Sequence, residues 1–247
     1  MLARGVASRL APLTCALLAG CGGAAGSAVD VTRPASQAIT KATATAYAHA
    51  VNLRGGDISG FTSGGREGEA PKPGRLAKRE IRCSGGANPA KRLAQIESIE
   101  LLAGRAARAM IMRSVVEVWP TPAFVAVNNG PPARMARSTA CFASFLRALH
   151  RRMNEERKGR MRIGPFTIVS APHPLADVRS GSLTRIDETR LRRSGAVRLH
   201  IFRDLFDFTV GAAEVELEAI GFSHPIPAAT EARALGLLRG RAVAHAV

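Results

Sequence analysis

Aromatic side chains are scarce in this chain of 247 residues, which has one tryptophan, one tyrosine and nine phenylalanines. Proteins that hold single-stranded nucleic acid stack bases on such rings, so the shortage argues against that class despite a formal charge of +16. Acid is scarce as well: 19 carboxylates stand against 35 basic residues, and only five of the bases are lysines. A surface of this kind favours anionic partners, and a GC-rich genome produces the same arginine- and alanine-heavy balance without selection for binding. Long hydrophobic runs are missing near the start of the chain. A membrane-spanning helix needs about 20 predominantly apolar residues, whereas the first apolar stretch is interrupted by Pro12 and Thr14 and leaves through glycines.

Signatures of chemistry are missing too. No Gly-x-Ser-x-Gly elbow occurs, and Ser63 within Gly60–Gly64 stands one residue off that pattern. His49, His150, His173, His200, His224 and His245 are scattered, without the i, i+4 pairing of a zinc helix. The Ser84-Gly85-Gly86 turn lacks the lysine and hydroxyl residue of a phosphate loop. Asp204 and Asp207 are the nearest approach to a glycosidase pair, but a strand-and-turn setting makes them caps or solvent-facing groups. No metal and no cofactor is expected, and the chain reads as a non-enzyme.

What is present begins at the amino terminus. Arg4 and Arg9 flank the entry to an apolar stretch over residues 10–19, which runs into Leu18-Ala19-Gly20-Cys21. A positive start, a short apolar middle and small residues before a cut are the parts of an export signal. The last four residues resemble the bacterial lipobox at every position. That resemblance implies a diacylglyceryl thioether on Cys21, cleavage before it, and acylation of the new terminus. Residues 1–20 are then a lipoprotein signal peptide, 21–37 a flexible tether with too little apolar bulk to fold, and 38–247 an extracytoplasmic domain at the cell membrane. Two acyl chains anchor stably where one binds reversibly. The alternative is an ordinary secretory signal cut after Ala28, which would release the chain outside the cytoplasm.

With the signal removed, 33 bases and 19 acids leave a charge of +14. Cys15 goes with the signal and the lipid takes Cys21, so Cys83 and Cys141 are the thiols left in an oxidising compartment, where they are expected to pair. The alternative is two separately buried thiols. Closing that loop would restrict the unfolded chain by roughly 4 kcal/mol in the entropy model.

Patterns along the domain suggest its elements. Residues 38–51, alanine-rich with Ile39, Tyr47 and Val51, suit a closely packed helix. The segment 57–61 reads as a turn that returns a hydrophobic residue to the core, and 62–78 as a surface loop. A short strand is expected over 79–83. Alternation over 109–119 puts Met112, Ser114, Val116 and Val118 on one side of a strand. The spacing of Phe142, Phe145, Leu146, Leu149 and Met153 predicts a helix over 138–158, with Cys141 in its first turn. Strands are expected over 163–169 (interrupted by Gly164-Pro165), 185–188, 196–202, 205–210 and 214–222. In the last, Glu214, Glu216 and Glu218 should form a wet face. Residues 228–244 close the chain as a helix with Leu235, Leu238 and Ala242 inward. Together these describe an α+β class, a single domain whose antiparallel sheet has helices packed on one face.

The lipobox, tether, turn at 57–61 and cysteine pair, with Asp204-Leu205-Phe206-Asp207-Phe208, Gly211, Glu214-Val215 and the helix over 231–241, resemble actinobacterial envelope lipoproteins. These are similar in turn to the extracellular sensor-like domains of bacterial membrane serine/threonine kinases. The resemblance implies an α+β sandwich with a ligand-binding cleft, hence a non-catalytic ligand-binding or accessory module. A hydrolase with a noncontiguous site is the rival, and a polyanion-binding surface protein a third reading. Basic groups over 147–162 and around Arg190, Arg192, Arg193 and Arg198 would meet lipid headgroups or anionic wall polymers there.

Overall fold

The computed structural model describes residues 38–72, 74–105, 108–128, 132–156, 161–172, 181–192 and 194–245. Cys21, the signal, the tether and His173 lie outside them. Among the described residues the strands are β1 (Thr62–Gly64), β2 (Gly68–Glu69), β3 (Ala94–Glu97), β4 (Glu100–Ala103), β5 (Met110–Val118), β6 (Met161–Pro172), β7 (Gly181–Arg192), β8 (Val197–Val210) and β9 (Ala213–Phe222). The helices are α1 (Lys41–Val51), α2 (Arg75–Ser84), α3 (Pro122–Asn128), α4 (Pro132–Glu156) and α5 (Ala228–Ala244).

All nine strands join one antiparallel sheet in the order β1-β4-β5-β9-β8-β7-β6, with β3 also on β5 and β2 on β3. Strict alternation sets the register of its centre. Met112, Val116 and Val118 face inward from β5, and Ala213, Val215, Leu217 and Ala219 match them from β9. Slipping one residue would turn every one of these outward. The β8–β9 turn is tight because Gly211 adopts a φ of 57°, open to glycine at little cost. Gly221 is needed for space instead: a Cβ there would lie 2.0 Å from the carbonyl oxygen of His224.

Thr40 starts α1 with a capping box to Thr43, and the alanines beyond let the helix sit close on β3 and β5. Ala44, Tyr47, Ala48 and Val51 join Leu235, Leu238 and Ala242 of α5 in the core beneath the sheet. Both helices cover this inner face. The helices do not all share it, however. Asp204 and Arg185 sit across from one another on β8 and β7 on the α5 side, whereas Ile186 and Glu188 of β7 point the other way. Glu188 meets His150 of α4 there, and Asn154 of α4 exchanges two hydrogen bonds with the backbone of Ile163. The domain is α+β with an antiparallel sheet, as the pattern suggested, and helices lie on both faces.

Several boundaries differ from expectation. Residues 79–83 belong to α2, not to a strand: Leu76 and Cys83 stand seven residues apart on one face, and Gly85 ends the run in the left-handed region with φ 77°. Residues 62–78 hold two short strands and the start of α2 as well as loop. Helix α4 begins at Pro132, so Cys141 lies in its third turn rather than its first. The strands expected over 196–202 and 205–210 are one continuous β8. A bulge between Ile163 and Phe166 accommodates Gly164-Pro165 within β6, and strand β7 is far longer than residues 185–188.

Candidate functional site

Three groupings of polar residues stand out, and each begins with local folding. The first is under α5. Helix α5 leaves Pro227 with Glu231 in its first turn, a placement the helix dipole favours for a carboxylate. Here that carboxyl is nearly closed off from solvent and hydrogen-bonded to Asp204 of β8, itself only 4% exposed. Arg185 of β7 grips Asp204 through two contacts of 2.8 and 2.6 Å. Burial, then the negative charge of Asp204, pushes the Glu231 carboxyl up to about 7, with Arg185 opposing. Glu231 thereby keeps its proton to a higher pH than an ordinary carboxyl. Asp204 and Asp207 do not form a pair, since they project to opposite faces of β8.

The second grouping is the outer face of β5 and β9. Its glutamates are not the wet row that alternation suggests. Arg113 contacts both Glu97 and Glu218, Arg203 reaches Glu218 at 3.1 Å, and Arg92 pairs with Glu117. Arg92 also lies over the Trp119 ring at 5.7 Å. The physical reason is neighbouring arginine: β5, β8 and the segment before β3 bring guanidinium groups alongside, and α3 packs on β9. Burial, followed by the charges of Asp207, Glu218, Glu117 and Glu214, holds the Glu216 carboxyl well above the usual range. Nearby, His150 Nε2 stands 3.0 Å from Glu188, which Arg190 also contacts at 3.0 Å, with Phe166 edge-on to the imidazole. Burial acts to raise the Glu188 carboxyl, but its bonds and charges from His150 and Arg190 prevail and lower it.

The third grouping is the α2–α4 pair. Cys83 and Cys141 are disulfide-bonded with Cα atoms 5.7 Å apart. Cys141 is buried and Cys83 exposed. The bond therefore joins helix to helix, not helix to strand. On α2, Arg75, Lys78, Arg79 and Arg82 form an exposed row at i, i+3, i+4 and i+7, and Arg147 and Arg151 are exposed on α4.

The remaining sequence candidates are dispersed. Ser63 is exposed on the edge strand β1, opposite Leu101. His49 meets Glu67 at 3.0 Å, His200 stacks on Phe202, and His245 follows the end of α5. Sequence reasoning missed two devices. Asp57 accepts two bonds from Arg241, at 2.6 and 2.7 Å, and Arg241 also donates to the Asn52 carbonyl oxygen at 2.8 Å. Burial acts to raise the Asp57 carboxyl, but Arg241 and the Arg54 amide prevail and lower it. Asn52 and Ser114, both fully buried, bond at 2.9 Å and continue to Ser98. The only hint of either lay in polar residues at inward positions of a strand or a helix end.

No family model matches the chain, and no curated protein matches it. Among solved structures it is similar to the crystal structure of the extracellular domain of PknH from Mycobacterium tuberculosis. The two share 9% identity with a TM-score of 0.39, over 83% of this chain and 97% of that one. A likeness at that identity and score carries no argument about what this chain binds or does. Among the described residues no helix is long and apolar enough to cross a membrane.

Proposed function

We propose that this chain is a non-catalytic module of the cell envelope, lipid-anchored through Cys21 and working as a ligand-binding or accessory protein on the extracytoplasmic side. The observation that carries the reading is the Cys83–Cys141 disulfide, closed across a sequence separation of 58. Such bonds persist in oxidising compartments and are rare in the cytosol. The lipobox at Leu18–Cys21 supports the same address and supplies the anchor. Commitment of the buried ionisable groups supports the non-catalytic part. Asp204 and Glu231 bind α5 to the sheet, His150 and Glu188 bind α4, and Asp57 and Arg241 bind the loop after α1 to α5.

The test is mass spectrometry of the mature amino terminus after extraction from membranes, beside a Cys21→Ala variant. The expected terminus is Cys21 carrying a diacylglyceryl group and an amide-linked acyl chain, with the variant unprocessed. An unmodified terminus at Val29 would replace the anchor with simple secretion.

A further inference from the structure

Helix α2 is poorly secured at its amino-terminal end. Its N-cap, Gly74, makes no side-chain cap bond, no acid stands in its first turn, and Arg75 occupies the end that the helix dipole makes positive. Arg75 and Arg79, and again Lys78 and Arg82, are like charges four residues apart, each pair destabilising by about 0.2–0.5 kcal/mol. Among the described residues none of these four is ion-paired. What holds the helix is its packing on α4 and the disulfide from Cys83 to Cys141. A local arrangement that opposes the fold, and is covalently secured in spite of it, is where function is to be sought.

We propose that the exposed row Arg75, Lys78, Arg79 and Arg82 docks the domain onto an anionic lipid bilayer. Charge complementarity carries the choice of occupant. The row offers cations with long apolar stems and no aromatic ring on which a nucleic-acid base could stack. It also offers no exposed apolar wedge, so docking stays at the headgroup level and is screened by salt. The choice of a bilayer over a soluble polyanion rests on the anchoring proposed above. Residues 21–37 can span at most about 60 Å, so an anchor at Cys21 would keep the domain within encounter distance of the membrane. Each basic residue near such a surface adds about 1 kcal/mol, or roughly fivefold in binding.

The test uses the full chain with Cys21→Ser, so that no acyl group contributes. Its partition is measured onto vesicles of phosphatidylglycerol and phosphatidylcholine in equal parts, and onto phosphatidylcholine alone. The mixed vesicles should bind it, the neutral ones should not, and raised salt should release it. R75E/K78E/R79E/R82E should lose at least about a hundredfold. R66E/K72E/R105E/R233E, with the same change in net charge at other exposed sites, should lose less than about fivefold. Should α2 unfold in the first variant, judged by circular dichroism and an intact disulfide, the milder R79Q/R82Q is expected to lose about 25-fold. Equal losses in the two reversal sets would overturn the docking face, as would retention on soluble polyphosphate without vesicle binding. The mass of the wild-type terminus is read separately, so a failed surface and a failed anchor give different results.

Discussion

Ser114 is a serine in the middle of a valine-rich core strand, and its neighbours explain it. Its hydroxyl donates to Asn52 and accepts from the Leu53 amide, while its own amide donates to Ser98. Ser114→Ala leaves the Asn52 oxygen and the Leu53 amide buried without that partner and is expected to cost about 1–3 kcal/mol in chemical denaturation. The carboxyl pair under α5 sets a pH response. Glu231 titrates near 4.5 when unfolded and at about 7 in place, so its contribution is fully present below 4.5 and is lost as pH rises through 7. Stability of the wild type relative to Glu231→Gln should therefore fall across that window, with the variant flat for this group. A difference curve that does not change between pH 4.5 and 7.5 would contradict the raised Glu231 carboxyl. These contacts were not legible in the sequence, because Asp57 and Arg241 are 184 residues apart and only the closed fold brings them together.

Elements with a strong period were legible. The alternation in β5 and β9 and the apolar stripe of α4 identify their buried sides directly, since burial of one face is what sets both patterns. Helix α2 was not legible, because four basic residues in ten obscure a stripe of only a few apolar ones, and a cysteine near paired glycines reads equally as a strand end. Its dependence on the disulfide is testable. Cys83→Ser/Cys141→Ser should lose hydrogen-exchange protection first in α2, while β5, β8 and β9 remain protected, and overall stability should fall by at most about 4 kcal/mol. Closing helix α5 carries the opposite kind of defect. A Cβ at Gly236 or Gly240 meets no atom within 4 Å, and glycine inside a helix is worth about 1 kcal/mol less than alanine. Gly236→Ala should raise the melting temperature by roughly 2–4 °C.

At the scale of the whole molecule, a sheet covered on both faces places its charges in two ways. Asp204 with Glu231 and Arg185, and Glu188 with His150, hold helices to strands. Arg75, Lys78, Arg79 and Arg82 stand exposed on α2, a helix held to α4 by a covalent bond. The α+β class and the antiparallel order of the last strands follow from short-range patterns, whereas the use of both faces does not, since it depends on which side each crossover takes. The account as a whole requires an oxidising surrounding. Its most direct test is thiol trapping in the cells that make the protein, by acid quenching and alkylation with a maleimide polymer before and after reduction. The expected result is that Cys83 and Cys141 react only after reductant is added, in the membrane fraction. Labelling of both without reductant, in chain recovered from the cytosol, would contradict it.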